Sequence, residues 1–232
     1  MKKNWKTVQV KEKSINSYEI LLDNNILKTP LKNKLIIPNA KIAKEIYMEW
    51  DQKTNFLNTD SMVFYGIIST SIDKICDNRK SYIDDVLEFI DTDLICYRAE
   101  KPNDLAQWQS KNWDPIISKV EKYINHKINV FKGIMPLRQD KEIHLKITTF
   151  LTKFSDLEIA TLHRITNITG SIFLTLYVLK NDKIKENVFE LSYLDELWQA
   201  KNWGYEEEAS KTRENINDEL NRIIYFLDCL RQ

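Results

Sequence analysis

Glycine is scarce in this chain of 232 residues, and its scarcity excludes several nucleotide-binding and catalytic folds. The glycines are Gly66, Gly133, Gly170 and Gly204, and no two of them lie within thirty positions of each other. A P-loop needs two glycines five positions apart, a dinucleotide-binding turn needs two that are two apart, and a nucleophile elbow needs two that are four apart. None of these motifs can therefore be present.

The charges of the chain balance, with 34 lysines and arginines against 34 aspartates and glutamates. A balanced chain has no overall field that would attract nucleic acid or an anionic membrane. The amino terminus has no apolar signal segment, and no run approaches the roughly 20 apolar residues that a membrane helix needs. We therefore expect a soluble protein with no nucleic acid partner and no membrane insertion. A bacterial cytoplasm fits best, or the mitochondrial matrix if the chain is organellar.

Cysteine and histidine are too few and too scattered to indicate a metal site. The three cysteines are an odd number, widely spaced among apolar residues, as expected of reduced thiols. His126, His144 and His163 show no spacing of four positions that would place two ligands on one helix face. We predict no metal, no cofactor and no small-molecule substrate, and hence no enzyme. A diffuse enzyme site built from distant carboxylates and histidines stays open as an alternative.

Short β-type runs occupy the first forty residues, and helical periodicity follows them. The runs are WKTVQVKEK (5–13), SYEILLDNNILKTP (17–30) and LKNKLIIP (31–38), with Asp23-Asn24 as a turn signal. From Pro38 onward the apolar residues recur at helical spacing. The sequence predicts an α+β protein, with a small antiparallel β-rich domain over residues 1–40 and an α-helical domain over residues 41–232.

Several signals concern the ends of the predicted helices. Pro102-Asn103 is expected to begin a helix, and Pro115 within that helix predicts a kink or a break near Trp113. Ser155 to Glu158 has the spacing of a capping box. The apolar run that follows it predicts one long helix over about residues 160–179.

The stretch LSYLDELWQAKNWG (191–204) is polar but contains two tryptophans. At about 100° per residue, its leucines and Trp198 fall on one side of a helix, which we interpret as the buried side. Glu196, Gln199 and Trp203 cluster on the other side, within roughly 60° of each other. Trp203 either folds inward under the turn at Gly204 or is held at the surface to contact a partner.

Four segments carry a resemblance to one family. They are LDNNILKTPLKNKLIIP (22–38), EWDQ (49–52), DTDLICYRAE (91–100) with QSKNWDPII (109–117), and DELWQAKNWG (195–204). In order and spacing they resemble the ATP synthase F(1) assembly chaperones that hold the alpha subunit, of the alphaproteobacterial type. The resemblance spans nearly the whole chain, and CYRAE followed by WDPII is its most specific part.

The resemblance implies a chaperone that needs no ATP and binds the free alpha subunit of the catalytic head until a beta subunit replaces it. Glu196 matches the glutamate of the family's most distinctive carboxy-terminal motif, so we expect it to contact the alpha subunit. The helical geometry adds Gln199 and Trp203 to that expected site. We expect the protein to act as a monomer, and a scaffold for another client protein is a further alternative.

The EWD motif has a structural and a client-binding interpretation. We expect Trp50 to anchor the packing near the domain boundary, with Glu49 and Asp51 capping or pairing nearby. In the helix after this motif the chain has Gly66 and Ser69, where family members usually carry an arginine and an asparagine. If those two family residues contact the partner, that contact is absent here.

The CYRAE and WDPII motifs have the same two interpretations. We expect Asp93, Tyr97 and Arg98 to form a buried polar network that joins LICY to the helix of Trp113 and Asp114. Arginine paired with carboxylates is the usual way in which such charges are stabilised when buried.

Overall fold

A three-stranded antiparallel sheet lies at the amino-terminal end of the chain. The structure is a computed structural model that describes residues 1–133, 138–181, 187–204 and 206–231. The strands β1 (Val8–Ser14), β2 (Ser17–Leu22) and β3 (Asn25–Ile26) pair in the order β1-β2-β3. Asp23 and Asn24 form the turn between β2 and β3, and Asp23 has a positive φ of 53°, which Asp tolerates better than most residues. The predicted β unit is therefore confirmed.

The predicted strand in LKNKLIIP is wrong. Lys28 pairs with Lys34, and Tyr18 pairs with Ile37, each across an isolated bridge. The chain turns back on itself at Lys32, where φ is 68°, so the segment forms a loop rather than a continuous strand. The α+β class predicted from the sequence is nevertheless confirmed, because helices make up most of the remaining chain.

Ten helices and one further pair of short strands follow within the described residues. The helices are α1 (Ala40–Trp50), α2 (Val63–Thr70), α3 (Cys76–Leu87), α4 (Asn103–Ile124), α5 (Lys141–Leu151), α6 (Asp156–Thr169), α7 (Ile172–Lys180), α8 (Val188–Ser192), α9 (Leu194–Trp203) and α10 (Glu207–Leu230). The strands β4 (Tyr97–Arg98) and β5 (Phe131–Lys132) pair in parallel. A π-helical segment, Ser71–Ile75, joins α2 to α3. None of these described helices is both long enough and apolar enough to cross a membrane.

Contacts divide the chain into two compact units. Unit 1 comprises Met1–Arg79, Ser155–Thr161 and Asn221–Gln232, and unit 2 comprises Lys80–Phe154 and Leu162–Leu220. The boundary predicted between residues 40 and 41 separates a β-rich segment from a helical one, whereas the two units are defined by contacts. The predicted domain boundary therefore stays a prediction.

Each unit has its own buried apolar residues. In unit 1 they include Ile20, Ile37, Ile42, Ile46, Phe64, Ile68 and Phe226. In unit 2 they include Ile95, Trp113, Val120, Ile143, Ile147, Ile165, Phe173 and Tyr177. The helical periodicity of the sequence reflects these buried faces.

Two predictions about helix continuity are wrong. Helix α4 begins at Asn103 as predicted, but it runs without the predicted break through Pro115 to Ile124, and a kink at Pro115 stays a prediction. Proline removes one backbone hydrogen-bond donor from the helix. The packing of the buried apolar face of α4 outweighs this loss and keeps the helix continuous. The predicted long helix is instead divided into α6 and α7 at Gly170, where φ is 66°.

The capping box before α6 is confirmed. The backbone N–H of Ser155 donates to Oε2 of Glu158 at 2.7 Å, and the N–H of Glu158 lies 3.3 Å from Oγ of Ser155. These reciprocal hydrogen bonds satisfy two donors that a helix start leaves unpaired.

Candidate functional site

Helix α4 holds α8 and α9 in place within unit 2. The indole Nε1 of Trp113, a side chain that is only 1% exposed, donates to the carbonyl oxygen of Leu191 at 2.8 Å. The amide Nε2 of Gln109 donates to Oδ1 of Asp195, also at 2.8 Å. Leu191 and Leu194 are themselves buried. The inner side of the segment that carries the predicted site is thus fixed in position.

The opposite face of α9 presents the three residues that the sequence singled out. Glu196, Gln199 and Trp203 are exposed, and the indole of Trp203 is 76% exposed. The interpretation in which Trp203 folds inward is therefore wrong. Its ring contacts the half-buried Trp198, edge to face at 5.9 Å between centroids. Helix α9 ends at Trp203, and the N–H of the following Gly204 donates to the carbonyl of Ala200, so Trp203 stands on the last turn.

Glu196 has no cationic partner among the residues that the structure describes. Of the two candidate partners, Arg164 instead pairs with Glu219 at 2.8 Å, and Lys201 is exposed and forms no ion pair in the described chain. Burial, followed by the negative charges of Glu196 and Glu219, raises the pKa of the Tyr193 hydroxyl. Glu196 therefore adds a negative charge that is not in an ion pair within the described chain.

An open groove of about 430 Å³ lies beside Glu196. Its lining residues are Tyr193, Glu196, Glu206, Glu208, Ala209, Thr212, Arg213 and Ile216. Three of these side chains are glutamates and one is an arginine, so the groove carries net negative charge. Apolar atoms of Ala209 and Ile216 provide an apolar part beside the carboxylates.

The structure places the EWD motif inside unit 1. The buried carboxylate of Glu49 accepts the backbone N–H groups of Phe64 and Tyr65, at 2.8 and 2.9 Å, where α2 begins. Arg222 donates to the same carboxylate at 3.1 Å. Burial raises the pKa of Glu49, and these hydrogen bonds oppose that rise. Glu49 therefore caps α2, a helix that lacks a side-chain cap of its own.

Trp50 and Asp51 differ in their surroundings. The ring of Trp50 is buried between Trp5 and Tyr65, at centroid distances of 5.2 and 5.0 Å. Asp51 is exposed and accepts a hydrogen bond from the hydroxyl of Tyr47 at 2.8 Å. Of the three residues of this motif, only Asp51 is exposed to solvent.

The predicted network does not form: Asp93 and Arg98 belong to two separate clusters, and the Tyr97 side chain belongs to neither. Asp93 is fully buried and accepts the Ser171 hydroxyl at 2.7 Å and the Phe173 N–H at 2.9 Å, at the start of α7. Burial raises its pKa to about 7, although these hydrogen bonds act in the other direction. Asp93 therefore joins its turn to α7 and not to Arg98.

Arg98 forms the second cluster with α4. Its Nη2 donates to Oδ1 of Asp114 at 2.8 Å, its Nη1 donates to the carbonyl of Ile95, and its guanidinium lies 5.0 Å from the Trp113 ring. Tyr97 donates instead to the backbone carbonyl of Asp91 at 2.8 Å. The arginine is thus paired and stacked, as expected for a buried guanidinium.

Comparison with known proteins identifies the family. The family model described as ATP12 chaperone protein matches residues 2–121. The chain belongs to the ATP12 chaperone family. The predicted family membership is therefore confirmed, and with it the prediction that the protein is a chaperone.

Relatives in the same family align with most of this chain. It is 24% identical to the mitochondrial protein atp12 of Schizosaccharomyces pombe, over 97% of this chain and 82% of that one. It is 22% identical to the mitochondrial ATP12 of Saccharomyces cerevisiae, over 81% of this chain and 71% of that one.

Solved structures share its fold. The Atu1473 protein of Agrobacterium tumefaciens, proposed to be a chaperone, matches with a TM-score of 0.89 and 30% identity, over 99% of this chain and 86% of that one. Atp12 of Paracoccus denitrificans matches with a TM-score of 0.85 and 25% identity, over 97% of each chain.

Sequence reasoning missed one residue that positions the α9 surface. Gln109 is buried, donates to Asp195 and accepts the N–H of Ala99 at 2.8 Å. Gln109 stands four residues before Trp113, on the apolar face of α4. A glutamine at a position where the helical period expects an apolar residue is the signal that would have identified it.

Proposed function

We propose that this chain binds the free alpha subunit of the F-type ATP synthase catalytic head through the exposed face of α9. Glu196, Gln199 and Trp203 form the contact, and binding requires no ATP. The observation that carries the proposal is the exposed Trp203 indole, on the same face of α9 as the unpaired carboxylate of Glu196.

A rigid aromatic side chain at a surface suits a binding anchor. Tryptophan provides a large apolar area with few rotatable bonds, and it is enriched among the residues that dominate binding energy. The bonds from Gln109 and Trp113 fix the inner side of α8 and α9 before any partner arrives. A preformed surface loses less conformational entropy on binding.

A subunit that has not yet assembled into its obligate ring is a suitable client for such a surface. Without its partner it presents an apolar interface, which is an aggregation hazard. A chaperone without a nucleotide cycle releases its client when the true partner competes for the same surface. The contact should therefore be modest and partly polar, with a few anchors.

Pull-down and co-expression with the alpha subunit test the proposal. We expect the wild-type protein to retain the alpha subunit and to increase its soluble fraction. Glu196→Lys and Trp203→Ala should each weaken binding about tenfold or more, since a central anchor contributes about 2 kcal/mol. Leu145→Ala and Glu88→Lys, at exposed positions elsewhere in unit 2, are matched controls that should bind normally.

Unfolding measurements separate lost binding from lost stability. Because Trp203 is exposed, Trp203→Ala should change the free energy of unfolding by no more than about 0.5 kcal/mol. Trp113→Ala, at a buried site, should cost about 3 to 5 kcal/mol. The proposal fails if the alpha subunit is neither retained nor made more soluble. Enrichment of another protein instead would favour the scaffold alternative.

A further inference from the structure

A second surface of unit 1 has the properties of a binding loop. The segment Lys28–Lys34, here named the lysine loop, leaves the sheet after β3 and returns before α1. The N–H of Thr29 donates to the carbonyl of Asn33 at 3.1 Å, and the N–H of Lys32 donates to the carbonyl of Thr29 at 2.9 Å. Backbone hydrogen bonds therefore close the loop on itself.

Asp73 fastens the lysine loop from the π-helical segment. Its carboxylate accepts the Thr29 hydroxyl at 2.6 Å, the Leu31 N–H at 3.0 Å and the Asn33 side-chain amide at 2.9 Å. Burial acts to raise the pKa of Asp73, but these hydrogen bonds outweigh it and keep that pKa below its usual range. Insertions of π-helix in α-helices occur frequently at functional sites.

The fastened loop exposes an apolar side chain at its apex. Leu31 is 65% exposed, although its backbone N–H is bound to Asp73. Ile26 and Ile36, just outside the two ends of the loop, are also exposed large apolar residues. A single exposed leucine is ordinary, whereas one on a loop held by three side-chain hydrogen bonds is preorganised for contact.

Lysines outnumber the acidic residues around this apex. Residues 1–38 contain eight lysines and three acidic residues, although the whole chain is neutral. Glu19 is shared by Lys13 and Lys34, each at 3.4 Å. Within the described part of the chain, Lys28 and Lys32 form no ion pair. The three lysines of the loop outnumber the two carboxylates bound to it, those of Asp73 and Glu19, so the loop presents an apolar tip beside a net positive charge.

We infer that the lysine loop is a second contact surface for the alpha subunit. This inference rests on the proposed function. Leu31 enters an apolar recess of the alpha subunit whose rim carries carboxylates, and Lys28 and Lys32 face that rim. The positive charge of the loop selects an acidic rim, because like charges brought together across an interface are strongly unfavourable.

Binding of purified alpha subunit to loop variants of the full chain tests this inference. Leu31→Asp and Lys28→Glu should each weaken binding about tenfold. Ile15→Asp and Lys11→Glu are the matched controls, since Ile15 is 89% exposed at the neighbouring turn and Lys11 is exposed on β1. Both controls should bind like the wild-type chain, and circular dichroism should give all four variants the wild-type melting temperature.

The outcomes separate this inference from the proposed function. If the wild-type chain binds and the loop variants match their controls, the lysine loop is not a contact surface. If the wild-type chain does not bind, the proposed function itself fails. Sedimentation of the chaperone alone provides one more outcome: self-association that Leu31→Asp abolishes would assign the loop to a second copy of this chain and overturn the inference.

Discussion

Two tryptophans of this chain follow the same two residues but occupy opposite environments. Lys111-Asn112-Trp113 lies in α4 and Lys201-Asn202-Trp203 lies in α9, yet the first indole is buried and the second is exposed. The local tripeptide therefore does not decide the environment. Trp113 lies on the apolar face of a long helix, whereas Trp203 stands one residue before the glycine that ends a short one.

The buried carboxylate of Asp93 should make the stability of the protein depend on pH. Its pKa is about 7 in the folded protein, whereas an aspartate in an unfolded chain titrates near pH 4. The folded state therefore retains a proton that the unfolded state has lost. The stability contributed by Asp93 is fully present below about pH 4 and is lost as the pH rises through about 7.

Denaturant unfolding of wild type and Asp93→Asn at about pH 5 and about pH 8 checks this prediction. The free energy of unfolding of the wild type should fall between the two conditions by more than that of Asp93→Asn, because only the wild type must ionise this buried group. Equal changes in the two proteins would contradict it. The folds of both should be compared by circular dichroism at each pH.

At the scale of elements, one buried serine organises the start of α7. Ser171 accepts the N–H of Leu174 at 2.9 Å and donates its own hydroxyl proton to Asp93 at 2.7 Å. Gly170 permits the positive φ that separates α6 from α7. In the sequence, this break is marked by a Gly-Ser pair within an apolar run. Helical periodicity alone predicted one continuous helix there.

Removing the two helix caps should therefore have unequal effects. Ser155→Ala removes an exposed cap of α6 and should cost about 1 kcal/mol of unfolding free energy. Ser171→Ala should cost about 2 to 3 kcal/mol, because it leaves the Leu174 N–H and the Asp93 carboxylate each short of a buried partner. Urea titrations of the two variants measure the difference. Equal losses would mean that the bond to Asp93 contributes nothing.

The charge of the whole molecule is balanced in total but segregated along the chain. Residues 1–38 carry eight lysines and three acids, whereas residues 187–219 carry nine acids and three basic residues. The first segment belongs to unit 1 and the second to unit 2. The net charge of zero excludes an overall electrostatic field, but it is the sum of two local fields of opposite sign.

This segregation predicts that client association depends on salt. Electrostatic complementarity acts mainly on association rates and is screened within about 10 Å at 0.1 M salt. The association rate constant for the alpha subunit should fall several-fold between about 50 mM and about 300 mM sodium chloride. Stopped-flow or biolayer measurements check this, with the dissociation rate constant as an internal control. An unchanged association rate would contradict the prediction.

The sequence by itself determined the fold class, the first hairpin, the family and which residues share the outer face of α9, but not that Trp203 is exposed there. These depend on features that act locally: turn residues, helical periodicity, a capping box and ordered motifs. Glu196, Gln199 and Trp203 share a face because consecutive helical residues differ by about 100°, whatever the rest of the chain does.

Only the tertiary structure decided which buried polar groups meet. Asp93 binds the start of α7 rather than Arg98, Glu49 caps α2, and Asp73 fastens the lysine loop. Each of these contacts joins residues far apart in sequence, and a buried carboxylate accepts whichever donors the packing brings to it. Helical period and local motifs contain no information about those distant donors, and for this reason the partners could be read only from the folded chain.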